Sequence, residues 1–217
     1  MLNALVSVID KRLRSRDGIF EYTSCPRCIF RAQLSVNEKD IALSDGTRLS
    51  AGSHLIALHL WNEHIPSLPA AGPTLGWARR LCHDLEISLE ELAAFLAGNP
   101  ALDHITAIGG NAAFAPTPQT QAMVHSAMRL GFVRPVDPED SPSIAQRLHR
   151  LGENILIAML VIAHNPTAFR ANSFRRDRVP LYLHRTELIS RFGGREGAHP
   201  ARQRSPEAAN SRDYRTM

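Results

Sequence analysis

The chain has 217 residues, 44% of them hydrophobic and 21% charged, with a formal net charge of +4; this is ordinary globular usage and excludes a wholly disordered chain. Its basic charge is 23 Arg against two Lys, Lys11 and Lys39, and five of the Arg follow Gly193 against three acids, so the remainder is close to neutral. Arginines scattered without a basic face argue against nucleic-acid binding, and the longest apolar run, residues 155–163, is less than half of the ~20 residues needed to span a bilayer.

Residues 2–14 place Leu2, Leu5, Val6, Ile9 and Leu13 at helical spacing, with Lys11, Arg12 and Arg14 where cations suit the helix dipole, and Gly18 ends the pattern. The charges follow the apolar part, the wrong order for a secretory signal, so cytoplasmic residence is expected. Three cysteines, an odd count, fit a reducing compartment. From Cys28 the pattern alternates, with Cys28, Phe30, Ala32, Leu34 and Val36 on one face and Ile29, Arg31, Gln33 and Ser35 on the other, predicting a half-buried strand. "SDGT" at 44–47 predicts a turn into a second strand beginning at His54, and the two strands suit an antiparallel hairpin.

Helical patterning follows over 74–86 and again over 89–97, where Ser88 and Glu91 match a capping box and Gly98 a C-terminal stop. "HITAI" (104–108) reads as a short strand ended by Gly109 and Gly110. A helix from Thr117 and Pro118 to Gly131 precedes "FVRPV", read as an edge strand because Pro135 lacks a ladder donor. A long helix from Ser141 or Ser143 to Asn165, a strand over 179–184 and a short helix over 186–192 complete the pattern. The remainder, 193–217, is Arg-rich with almost no large apolar residue and is expected to be a disordered tail. The alternation implies one α/β or α+β domain over 1–192, a mixed β-sheet packed against several α-helices.

The stretch "HLIALHLWNEHIP" (54–66) concentrates polar chemistry around an apolar strand. In an extended chain His59 and Glu63 share a face but stand about 13 Å apart, so a convergent site requires the strand to end near Trp61 or Asn62. Given that turn, His59 lies at a strand end with Asn62 and Glu63 on the adjoining loop, where it can serve as general acid or base. The competing reading is a core histidine whose polar atoms are simply satisfied. "CPRC" (25–28) has the spacing of zinc knuckles and thiol redox sites, but no second CxxC or HxxxH supplies a four-ligand set, and Cys28 falls on the apolar strand face. "AIGGNAAF" (107–114) lacks phosphate-loop spacing. The arginine cluster in "FRANSFRRDR" (169–178) suits solvated loop charge, with anion or lipid headgroup contact the alternative. No GxSxG or HExxH motif is present.

The order of "GIFEYTSCPRCIFRAQLS" (18–35), "LSAGSHLIALHLWNEHIP" (49–66), "LGWARR" (75–80), "HITAIGG" and "RLGFVRP" is similar to the YkoP-like domain family of bacteria. In that family a Gly-x-x-Glu and a Cys-x-x-Arg region precede a strand with a Leu-His-Leu-x-Asn signature, matched here by Gly18, Glu21, Cys28, Arg31 and "LHLWN" (58–62). The domain occurs in proteins labelled polysaccharide deacetylases, whose activity belongs to a separate metal-binding domain without a counterpart in these residues. The resemblance implies an accessory role in envelope polysaccharide or lipid metabolism, with Glu21, Arg31 and Arg79 as candidate ligand-binding positions. The expected function is therefore a ligand- or partner-binding domain for a small-molecule, saccharide or lipid-related ligand, without cofactor or metal. The alternative is a small transferase or hydrolase in which Glu63 or Glu21 orients His59.

Overall fold

The computed structural model describes residues 18–61, 63–67, 69, 72, 74–114, 118–136 and 177–194. The predicted helices over 2–14 and from 141 or 143 to 165, most of the 169–178 arginine cluster, Asn62 and the tail beyond 194 lie outside the described residues. Among the described residues seven strands and three α-helices are formed: β1 (Ile19–Phe20), β2 (Phe30–Val36), β3 (Ile41–Ala42), β4 (Arg48–Leu49), β5 (His54–Leu60), α1 (Leu75–Ala97), β6 (Ile105–Phe114), α2 (Pro118–Arg129), β7 (Asp177–His184) and α3 (Arg185–Phe192). Five strands make a mixed sheet in the order β1-β2-β5-β6-β7, and β3-β4 make a small second sheet.

The expected hairpin is the centre of the sheet. β2 and β5 run antiparallel over their full lengths, from Phe30 opposite Leu60 to Val36 opposite His54. β5 and β6 are parallel, and a parallel pair needs a crossover; α1 supplies it and lies over one face. Leu89, Leu92, Ala93 and Leu96 of α1 pack there with Ala32, Ile56, Ile108, Leu181, Leu183 and Leu188, all of them at most 6% exposed. Burying each large side chain contributes about 1.5–3 kcal/mol. That core does not reach the far end of β2, where Leu34 and Val36 are half exposed. On the opposite face the β3-β4 sheet brings Leu43 and Leu49 onto Leu55 and Ala107, covering one end of the main sheet.

Three sequence expectations change in detail. The two predicted helices are one, capped by the Thr74 hydroxyl, which accepts from the Trp77 N–H, and by Gly98. No Gly or Pro interrupts 86–89, and Ser88 is no cap: its hydroxyl donates to the Asp84 carbonyl at 2.6 Å and accepts from the Ile29 N–H at 2.9 Å. Such back-bonding to residue i−4 is the other use of a helical serine. Gly109 and Gly110 do not end β6. A Cβ at Gly109 would meet the Tyr182 ring at 3.2 Å, so glycine admits the aromatic side chain of the neighbouring strand. "FVRPV" forms isolated bridges instead of a strand, Val133 to Tyr182 and Pro135 to Leu43, and so ties the main sheet to the small one. Among the described residues no helix is long and apolar enough to cross a membrane.

Candidate functional site

Strand register assembles the polar cluster. Arg31 of β2 stands opposite His59 of β5, and opposed residues of an antiparallel pair project from one face. Gln33 is two residues further along β2 on the same side, and its carbonyl Oε1 lies 2.8 Å from His59 Nε2. Because an amide oxygen only accepts, His59 donates from Nε2 in this geometry. Glu21 follows β1, whose Phe20 pairs with Ala32, and its Oε1 lies 3.4 Å from Arg31 Nε.

The chain turns where convergence requires it. β5 ends at Leu60; the Trp61 N–H donates once more across the strands to the Ile29 carbonyl at 2.8 Å, and the His64 N–H then bonds the Trp61 carbonyl at 2.9 Å. This turn carries Glu63 back over the sheet, placing its Oε2 3.7 Å from Arg31 Nη2. The Arg31 guanidinium carbon sits 4.4 Å from the centre of the Trp61 ring, a distance at which the ring quadrupole attracts a cation. The His64 ring stacks on the same indole at 3.7 Å and 17°, while its Nδ1 donates to the Cys28 carbonyl at 2.7 Å. Arg31 is buried at 6% exposure, whereas the side chains of Glu21 and Glu63 are 46% and 33% exposed. The arrangement is a buried cation supported by an aromatic ring and flanked by two carboxylates that reach solvent.

A second network holds the 21–29 loop against α1. Arg27 donates twice to Asp84 Oδ1, at 2.8 and 2.6 Å, and the Tyr22 hydroxyl donates to the Ser88 carbonyl at 2.9 Å. Cys28 Sγ lies 3.1 Å from the Tyr22 hydroxyl within the core. Burial, then the Cys28 thiol, raises the Tyr22 pKa well above its ordinary value, which keeps the phenol a donor. Among the described residues no three His, Cys, Asp or Glu side chains form a group suited to a metal ion.

Of the sequence candidates, Glu21, Arg31, His59 and Glu63 share this region, and Arg79 stands apart, exposed on α1, the helix that covers the other face. Gln33 and Trp61 are participants that sequence reasoning did not single out. The alternation of β2 had already placed Gln33 beside Arg31; the cation-binding use of Trp61 depends on the turn and has no signal in the residue pattern.

No curated protein and no solved structure matches the chain. The YkoP domain family profile matches residues 19–191, a span that includes both central strands, the turn and every member of the cluster. The chain belongs to the YkoP domain family.

Proposed function

We propose that the chain is a non-catalytic cytoplasmic binding domain that engages an envelope-related saccharide on the sheet face bearing Arg31, Glu21, Glu63, Gln33 and His59. The observation that carries this reading is Arg31 set between two carboxylates. Among the described residues the ionic groups of the cluster are one guanidinium and two carboxylates, a balance that disfavours a phosphate or an anionic lipid headgroup and favours hydroxyl or ammonium donors. The exposed oxygens of Glu21 and Glu63 can accept from such groups, and charge-assisted bonds of this kind are the strong ones. Trp61 already contacts Arg31 and His64, so it acts as a support for the cation more than as a platform for a sugar ring. The odd cysteine count, three in the chain, accords with the cytoplasmic assignment.

The catalytic alternative, with His59 as acid or base and a glutamate orienting it, draws less support because, among the described residues, both glutamates pair with Arg31 and the His59 ring bonds the neutral Gln33 amide. Calorimetric titration with glucosamine oligomers and with their N-acetylated counterparts tests the proposal. The cationic series is expected to bind more tightly, and Glu63→Gln to weaken it by about tenfold. Absence of binding by either series, or equal binding by wild type and variant, overturns it. Mass spectrometry of the same mixtures would reveal turnover of the probe, the outcome that transfers the site to the catalytic alternative.

A further inference from the structure

We propose that Cys25 and Cys28 form a reversible disulfide, the dithiol being oxidised by a low-molecular-weight disulfide of the glutathione type. The two residues are the ends of a four-residue turn closed by a bond from the Cys28 N–H to the Cys25 carbonyl at 3.1 Å. The ends of such a turn lie within about 7 Å between Cα atoms, and a bridge spans about 4.4–6.8 Å. Pro26 occupies the second position, where its ring presets the backbone angle the turn needs. Both cysteines pack in one cluster with Tyr22.

Their exposures divide the chemistry. Cys25 is partly exposed and Cys28 is fully buried, so an incoming disulfide reaches Cys25. The Cys25 thiolate attacks one sulfur of the oxidant, forming a mixed disulfide and releasing one thiolate. Cys28 then loses its proton and attacks the Cys25 sulfur; the new bond forms as the mixed disulfide breaks and the second small thiol leaves. The protein loses two electrons and two protons, and the oxidant becomes two thiols. Closing the bridge draws Cys28 Sγ from its present neighbours, the Tyr22 hydroxyl at 3.1 Å and the Phe30 carbonyl at 3.3 Å. Glu21 adjoins Tyr22 and Arg31 adjoins Phe30, so oxidation would also act on the proposed saccharide face; that consequence rests on the proposed function, and the disulfide itself does not.

The test uses the full chain with Cys82→Ser, which removes the exposed thiol on α1. After incubation with oxidised glutathione, intact mass is expected to fall by two hydrogens, with loss of alkylation at both remaining cysteines and recovery on reduction. A stable glutathione adduct on Cys25, with Cys28 still alkylated after denaturation, would overturn the proposal. Adding Cys25→Ser should abolish the mass loss. Adding Cys28→Ala should trap the mixed disulfide on Cys25, and its circular dichroism spectrum distinguishes a trapped intermediate from an unfolded chain. Unchanged saccharide binding on oxidation would break the link to the site while leaving the disulfide established by mass.

Discussion

The two faces of the five-stranded sheet are built from alternate residues of the same strands, yet they have different physical character. Ala32, Ile56, Ile108 and Leu183 point into a core closed by α1, and each is fully buried. One residue along, Arg31, Gln33 and His59 stand on the other face, where, among the described residues, the small sheet covers the end around Leu55 and Ala107. Removing apolar surface from water is non-directional and tolerates substitution by volume. A buried cation demands defined partners, and among the described residues these include Trp61 and two carboxylates. On the proposed function, the first face serves stability and the second recognition.

The sharpest way to break that division is to truncate each face. Leu92→Ala in the closed core is expected to cost about 2–5 kcal/mol, measured by urea denaturation, with Gln33→Ala costing less than about 1 kcal/mol; equal costs would refute the division. Next in size is Ser88→Ala, which orphans the buried Ile29 N–H and should cost about 1–3 kcal/mol in the same assay, because the serine fastens the β2 approach to α1. Arg31→Met should destabilise by about 1 kcal/mol and shift Trp61 fluorescence, since the cation over the indole is lost.

The smallest effect belongs to the small sheet. Burial alone would raise the Asp45 pKa, but the hydroxyl and backbone N–H of Thr47, together with His184, hold it below the ordinary value. A carboxylate depressed in the folded state adds stability that is present above its unfolded pKa of about 4 and lost as pH falls through the folded value. Asp45→Asn should therefore flatten the acid limb of a thermal-melting profile below about pH 4, melting slightly below wild type at neutral pH and converging with it in acid.

The hairpin of β2 and β5 was legible because period-two alternation and a turn signal are local properties, and the end of β5 near Trp61 was legible from the polar and proline-rich run that follows. The cluster was only partly legible. Arg31 and Gln33 could be placed on a face from alternation, whereas their meeting with His59 depends on register, which no single strand encodes. Ser88 and Glu91 misled because the spacing of a capping box also arises inside a continuous helix; what distinguishes the two is the Asp84 carbonyl and the distant Ile29 N–H that the serine bonds. Gly109 misled likewise, since a glycine needed for the approach of Tyr182 and one needed for a turn look alike in a sequence.

Chemical-shift mapping with a glucosamine oligomer tests the central claim most directly. The account predicts saturable amide shifts confined to Arg31, Gln33, His59, Trp61, Glu63 and their immediate strand neighbours, weakened in Glu63→Gln. Shifts that instead follow the outer surface of α1, or that persist undiminished in Glu63→Gln, would contradict it.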